Sequence, residues 1–280
     1  MNFDLSKKKL TDINKYLQNI DRKSNVRKFK IENPSGHHAI CAGLKDDIDV
    51  TINGHTGYYC AGMNQKASVT VNGNVGTGVA ENMMSGNVIV KGNASQSAGA
   101  TGHGGNLVIE GDASSRCGIS MKGINIIVKG SVGHMSAFMA QKGNLIVFGD
   151  ADEDLGDSIY EAKIFVKGKV KSLGADCVEK KMDDKSINEL KKIFKELNIS
   201  EINTSVYCFK SKMLLTALEQ VHNENSQNEY YLTDVVELLS GKGNKVRSVT
   251  VNHPDEARGV NDSRQLAECE SLLMDRSNAK

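Results

Sequence analysis

Tryptophan is absent from the chain and proline is nearly so, with only Pro34 and Pro254 in 280 residues. Against that scarcity the 27 glycines do not belong to a disordered Pro/Gly tract, so each must serve a placed backbone. Long apolar runs are missing too: none approaches the roughly 18 residues of a membrane span, and the opening stretch MNFDLSKKKLTDINKYLQNIDRKS lacks the apolar core of a signal peptide. No membrane partner is expected, and the expected location is cytoplasmic. Charge of one sign is also lacking. Lys and Arg total 35 against 34 Asp and Glu, which leaves no broad field to draw in nucleic acid. The six cysteines (Cys41, Cys60, Cys117, Cys177, Cys208, Cys269) contain no CxxC pair, which excludes the usual zinc frame and favours reduced thiols.

What is present is a period. Gly54, Gly73, Gly92, Gly111, Gly130, Gly149 and Gly168 follow one another at intervals of 19 residues without insertion or deletion. Before them stand VTIN, VTVN, VIVK, LVIE, IIVK, LIVF and IFVK, in which the residues four and two before the glycine are always Val, Ile or Leu. That alternation predicts a short strand with one buried face. Seven residues after the glycine come Ala61, Ala80, Gly99, Gly118, Ala137, Gly156 and Ala175, a column that never exceeds alanine. A fixed repeat with no helix-length segment inside it predicts a solenoid.

The fold class expected is mainly β: a right-handed parallel β-helix of about seven 19-residue coils with helical caps, followed by a truncated α/β segment. Equivalent residues then stack about 4.8 Å apart, and seven coils make a rod roughly 34 Å long. The strand-end glycines are expected to adopt positive φ, and the small-residue column to mark a corner where larger side chains would strike their own copies above and below. The organisation reads as residues 1–45, N-terminal helix and cap coil; 46–178, the β-helix; 179–200, a capping helix; and 201–280, the α/β segment. Leu5, Leu10, Ile13, Leu17 and Ile20 have helical spacing at one end, and SINELKKIFKEL offers Ser186 as N-cap with Leu190, Ile193, Phe194 and Leu197 on one face at the other. Both ends are therefore expected to be covered.

Two glycine clusters imitate nucleotide loops. Gly76 and Gly78 follow a strand, but no helix opens on a third glycine, and the GATGHGG stretch at 99–105 lacks the Lys-Ser/Thr of a P-loop. Cys41, Cys60 and Cys117 share one column, which allows a redox or metal role or, more simply, a ladder of small apolar residues shared with Val79 and Ala98. His37, His38, His55, His103 and His134 share no column, which argues against a metal site.

The segments GHTGYYCAGMNQKASVTVNGNVGTGVAENMMSG, GNASQSAGATGHGGNLVIEGDASSRCGISMKG and GSVGHMSAFMAQKGNLIVFGDADEDLGDSIYEAKIFVKG closely resemble the GXGXG β-helix domain of the glutamate synthase large subunit. They are still more similar to the stand-alone small subunit of N-methylglutamate synthase, and more distantly to a subunit of formylmethanofuran dehydrogenase. The resemblance covers about residues 1–200. It implies a complex that converts methylamine and L-glutamate to N-methyl-L-glutamate and ammonia. In such a complex a class II amidotransferase-like subunit and a flavin-containing glutamate-synthase-like subunit, with its FMN and iron–sulfur cluster, carry the chemistry. This chain is then a structural bridge with no catalytic residue and no cofactor of its own. Consistent with that, position 2 holds Asn2 rather than a cysteine nucleophile, and no CxxC run offers a cluster site.

Beyond residue 200 the glycine period stops. EINTSVYCF and KVRSVTV predict strands, and KMLLTALEQV, TDVVELLSG and DSRQLAECESLLM predict helices. EINTSVYCF, NENSQNEYYLTDVVELL and ARGVNDSRQLAECE resemble the end of the nucleotidyltransferase domain of bacterial N-acetylglucosamine-1-phosphate uridyltransferase. That resemblance implies contact of Asn203 with a UDP-sugar and of Asn261 with magnesium and substrate. Ser205 stands where the family has glycine, and the glycine-rich loop, metal-binding Asp and catalytic basic residues have no counterpart upstream. The alternative reading is thus a fusion or chimera whose tail is a non-functional UDP-N-acetylglucosamine pyrophosphorylase fragment, retaining weak binding of UDP-sugar and Mg.

Overall fold

Short strands that recur at a fixed interval have one simple way to satisfy their backbones, which is to pair each with its own copy one coil away. The computed structural model of the chain, which describes residues 1–21, 24–197, 209–222, 232–246, 269–270 and 274, is built in this way. In chain order the elements are β1 (Asn2–Asp4), α1 (Leu10–Gln18), β2 (Lys28–Glu32), β3 (Asp49–Asn53), β4 (Ser68–Asn72), β5 (Asn87–Val90), β6 (Asn106–Ile109), β7 (Lys122–Val128), β8 (Lys142–Val147) and β9 (Lys163–Val166). All nine strands form one sheet in sequential order, and every pairing is parallel. From β3 onward equivalent residues pair 19 apart, as Val50 with Val69 and Val69 with Val88, except at the start of β7, where a register shift sets Lys122 against Lys142. The mainly-β parallel solenoid is the fold expected, with two further strands, β1 and β2, ahead of the seven glycine-marked coils.

A second ladder follows the strands from β3 on, joining Thr56, Val75, Ala94, Ala113, Val132, Ala151 and Val170 in single parallel bridges. Between the ladders the rod is filled by Val50, Ile52, Val69, Val71, Val88, Val90, Leu107, Ile109, Ile126 and Val128, each at most 1% exposed. Burial of a Val, Leu or Ile is worth about 1.5–3 kcal/mol. From β6 to β8 the strands depart from simple alternation: the middle residues Val108, Ile127 and Ile146 are buried as well, so these strands carry apolar side chains on both faces.

The corner after the second ladder has a repeating backbone. Tyr59, Ala61 and Met63 lie at φ 58°, 53° and 55°, and the same alternate positions are left-handed in the next five coils, as at Gly78, Ala80 and Asn82. Left-handed φ costs a non-glycine residue about 1–2 kcal/mol. Here it turns successive N–H groups to opposite coils. Tyr59 and Met63 N–H donate forward to the carbonyls of Thr77 (2.8 Å) and Glu81 (2.7 Å), whereas Ala61 N–H donates back to Ile40 (2.9 Å). These hydrogen bonds to both neighbouring coils offset the strain.

The two glycine columns therefore exchange the roles expected of them. Of the strand-end glycines only Gly54 has positive φ, at 129°, and Gly73 through Gly168 are glycine because each lies on the glycine below. A Cβ on Gly73 would meet the carbonyl carbon and oxygen of Gly54 at 2.6 Å, and one on Gly149 the same atoms of Gly130 at 2.6 and 2.7 Å. Positive φ belongs to the small column, at Ala61, Ala80, Gly99, Gly118, Ala137 and Gly156. Larger groups there would strike the interior rather than their own copies: a Cβ on Gly99 or Gly118 points at the Ile126 side chain, 2.5 and 3.2 Å away.

The N-terminal end is closed by α1. Its helix is shorter than the spacing implied, since Asn2–Asp4 is a strand, and Leu5 and Ile20 are buried outside the helix. Ile13 and Leu17 enter the core, and Phe3, Tyr16 and Phe29 pack with ring centroids 5.4–6.2 Å apart. Asn14 Nδ2 donates to Ala39 O (2.7 Å) while its Oδ1 accepts from Cys41 N–H (3.0 Å), and Gln18 Nε2 donates to Ala42 O (2.7 Å). Side-chain amides thus substitute for the peptide groups of a coil that is not there. In the last coil Val170 and Leu173 are 39% and 40% exposed.

The chain divides into two compact units, 1–181 and 182–280. In the second, α2 (Asp184–Glu196), α3 (Ser211–Leu218) and α4 (Leu232–Gly241) are helical. The cap of α2 is Asp183, not Ser186; Asp183 Oδ1 accepts from Ser186 N–H at 2.7 Å, which starts the helix a turn early. α3 and α4 match the two expected tail helices and pack through Ala217, Val221, Val235 and Leu239. The predicted tail strands lie outside the described residues.

Gly99→Val should test the corner. It adds a β-branched side chain at φ 68° and 2.5 Å from Ile126, so strain and overpacking together should cost about 2–5 kcal/mol, read as a lower urea midpoint with an unchanged slope; a parent-like midpoint would show that the corner is misassigned.

Candidate functional site

A phosphate cradle needs glycine peptides that face open space. The glycines here face protein. A Cβ on Gly76 would meet Gly57 C and O at 2.6 and 2.8 Å, and the chain beyond Gly78 enters the corner and then β5 rather than a helix. In the 99–105 stretch Gly102 sits on Ile124, Gly104 on the Met84 carbonyl at 2.8 Å, and Gly105 on the Gly86 carbonyl at 2.6 Å. Both clusters are stacking surfaces, and neither leaves room for a pyrophosphate.

The cysteine column is a hydrophobic ladder. Cys41, Cys60 and Cys117 are free thiols at 0% exposure, in line with Val79 and Ala98 at 0%. Burial pushes the Cys60 and Cys117 thiols up to about 12, and burial together with the neighbouring Cys60 raises Cys41 well above the usual thiol range. Protonated thiols are poor nucleophiles and poor metal ligands. No group of three or more His, Cys, Asp or Glu residues among the described residues is placed to hold a metal ion. The histidines are dispersed in the fold: His38 stacks on Tyr58 (centroids 4.5 Å apart) with its Nδ1 accepting from Tyr58 N–H, and His55 Nδ1 accepts from Asn74 N–H at 2.9 Å.

The polar side chains run in lines along the rod. The residue after each strand-end glycine accepts from the backbone N–H of its copy in the next coil: Asn74 from Asn93, Asn93 from Asp112, Asp112 from Ser131, Ser131 from Asp150 and Asp150 from Lys169, all at 2.7–3.0 Å. A second line joins Asn87, Asn106, Asn125 and Asn144 amide to amide at 2.9–3.0 Å. Glu110 takes ion pairs from Lys91 (2.8 Å) and Lys129 (3.4 Å); partial burial raises its carboxyl, but the two lysines outweigh this and hold it low. These lines carry no convergent acid, base or nucleophile. Reading apolar columns alone misses them, although His55, Asn74, Asn93, Asp112, Ser131 and Asp150 stand 19 apart in plain view as acceptor residues.

Asn203 and Asn261, the residues implied for UDP-sugar and magnesium, lie outside the described residues, as does Cys208. No helix among the described residues is long and apolar enough to cross a membrane.

The buried thiols make a pH prediction. Their folded values exceed the ordinary 9.0, so above pH 9 the native state holds protons that the unfolded chain loses. This stabilising contribution is complete below pH 9 and is lost as pH rises from 9 towards 12. The urea midpoint should fall between pH 8.5 and 10.5, and replacing Cys60 and Cys117 with Ala should flatten that fall; an equal slope in the variant would refute the assignment.

A family model described as GXGXG motif matches residues 2–232. Among curated proteins, the Bifunctional protein GlmU of Clostridium novyi (strain NT) is 53% identical over 85 residues, which cover 30% of this chain and 18% of that protein. The protein of the same name from Bacillus cytotoxicus is 45% identical over 103 residues, 37% of this chain and 21% of that protein. The chain thus spans about a fifth of the length of the curated relatives it matches, a likeness that fits a GlmU-like segment in the tail. No solved structure matches the chain. With the 19-residue register in the sheet, glycine stacked on glycine, and a family match over most of its length, the chain belongs to the GXGXG family.

Proposed function

We propose that this chain is a non-catalytic structural subunit of a glutamate-synthase-like complex, most specifically of an N-methylglutamate synthase, which forms N-methyl-L-glutamate and ammonia from methylamine and L-glutamate. The observation that carries the reading is the GXGXG solenoid itself, with its strict 19-residue register. In this reading FMN and the iron–sulfur cluster belong to the flavin-containing glutamate-synthase-like partner, and the glutamine-type chemistry to the class II amidotransferase-like partner. The chain's own part is to hold the two at a fixed spacing. A rod whose coils are locked by continuous backbone ladders suits that task, because it transmits position without bending. Its flank offers Tyr58, Tyr59, Met63 and Met84 to solvent, side chains of the kind that protein interfaces use.

Co-expression is the direct test. A tag on this chain should retain both partner subunits, and N-methylglutamate should form only when all three are present. A chain that elutes alone beside both partners would overturn the reading.

A second reading attaches to the tail and is favoured by the 53% identity over 85 residues to a GlmU protein. It is weak UDP-sugar and Mg binding through Asn203 and Asn261 without uridyltransferase turnover, in a tail lacking the upstream parts of that domain. Calorimetry with UDP-N-acetylglucosamine and magnesium should then give saturable heat that Asn261→Ala diminishes; a flat trace with the parent chain removes this reading.

A further inference from the structure

We propose that the corner face of the early coils, centred on Glu81 beside Tyr59 and Met63, is a docking site for a segment of a partner protein that carries an arginine between apolar residues. The first ground is a gap in the charge. A quarter of the chain is charged, yet among Asp, Glu, Lys and Arg residues 50–109 hold only Lys66, Glu81 and Lys91. Lys91 is engaged by Glu110 at 2.8 Å. In the same stretch Tyr58, Tyr59, Met63 and Met84 are each about half exposed. Depletion of charge together with tyrosine and methionine is the composition of an interface core rather than of an ordinary solvated wall. Backbone hydrogen bonds make these residues neighbours: Tyr59 N–H donates to Thr77 O (2.8 Å), Met63 N–H to Glu81 O (2.7 Å) and Met84 N–H to Asn64 O (2.8 Å). The face lies five coils along the rod, about 24 Å, from the coil begun by Gly168, in which the first unit ends.

The second ground is the seat built for Glu81. In the column of Gly78, the residues Tyr59, Ser97, Arg116, Met135 and Asp154 all carry side chains at left-handed φ of 55–59°. The backbone of that column therefore does not itself demand glycine. A Cβ at Gly78 would lie 2.8 Å from Tyr59 Cδ1, 2.9 Å from Tyr59 Cε1 and 2.8 Å from Glu81 Oε2. Its absence lets the carboxylate settle against the ring edge, the positive side of the aromatic quadrupole. Glu81 is half-buried and makes no ion pair or hydrogen bond with any described residue. A carboxylate drawn out of water without a cation is unfavourable, so the face is complementary to a positive group. Tyr58 stands nearly perpendicular to Tyr59 with ring centroids 6.4 Å apart, and His38 stacks on Tyr58. Guanidinium suits this setting better than ammonium, because it pairs with a carboxylate through two N–H groups and lies flat on a tyrosine ring. The adaptable side chains of Met63 and Met84 fit apolar flanks. A second copy set two-fold on this face would bring Glu81 to Glu81, and residues 55–65 and 74–84 contain no Lys or Arg to answer it. The proposal rests on this face and not on the identity of the complex.

The probe is an acetylated, amidated tripeptide with arginine between two leucines, titrated into the full chain carrying carbon-13 methyl methionine. Met63→Leu and Met84→Leu assign the two surface signals, and the fully buried Met121 is the reference. Saturable shifts of Met63 and Met84 with Met121 unmoved are expected, and the same peptide with neutral citrulline for arginine should bind about tenfold more weakly. Glu81→Gln and Tyr59→Ala should each weaken binding by about five- to tenfold, with the Met121 signal in place to report an intact fold. No shift, equal binding of the citrulline peptide, or unaltered binding by both variants would overturn the proposal. A concentration-dependent dimer in sedimentation equilibrium that Tyr59→Ala dissolves would assign the face to a second copy and overturn it as well. Because the probe contains no enzyme subunit, failure here leaves the proposed function standing, and failure of co-purification leaves this site standing.

Discussion

Each coil of this protein can satisfy its backbone only through the coil above and the coil below. Parallel pairing at about 4.8 Å then sets every residue over its equivalent, and most other features follow. The repeat can neither gain nor lose a residue within its run of glycine-marked coils, because one slip would turn a buried valine column to solvent. Glycine is demanded where two backbones touch, as at Gly73 on Gly54. Left-handed φ is demanded where successive peptides must point to opposite neighbours, as at Tyr59, Ala61 and Met63. The strain of the second is offset by the hydrogen bonds it permits.

The same geometry shapes what the molecule can do. Stacking places like residues in lines, so polar groups form ladders such as Asn87–Asn106–Asn125–Asn144 rather than converging on a point. Lines of this kind build walls and extended surfaces. Groups that could react are spent on the ladder: Cys60 and Cys117 fill a column of the core with their thiols protonated, and Glu110 is held by Lys91 and Lys129. A role in spacing other subunits is consistent with this. The ends matter as much as the flanks, since a solenoid that does not close on itself must cover its last backbone groups or offer them. One end does the first with Asn14 and Gln18.

Much of the fold was legible because a repeat states its own register. The glycines from Gly54 to Gly168 located the strands, and Val, Ile and Leu at two and four residues before them located the core. The roles of individual glycines were not legible. Conformational freedom and close approach both select glycine, and a sequence does not separate them; the structure assigns close approach to Gly73 and positive φ to Gly99. The start of α2 was misplaced by a turn because Asp183 and Ser186 are both good caps, and only geometry shows which oxygen reaches which N–H. The acceptor column from His55 to Asp150 was visible at the same spacing but is chemically mixed, so an eye set for apolar identity passes over it.

By itself the sequence determined the period, the parallel stacking that a period of this length forces, and the buried columns, since hydrophobic alternation and fixed spacing are local, one-dimensional properties. It also excluded a phosphate loop at Gly76–Gly78 for want of a following helix. Only the tertiary structure decided that β1 joins the sheet, that side-chain amides of α1 close one end, and that Cys60 and Cys117 lie sealed in the core. Each of these depends on which segment meets which across the rod, and such contacts between residues distant in the chain leave no spacing for a sequence to record.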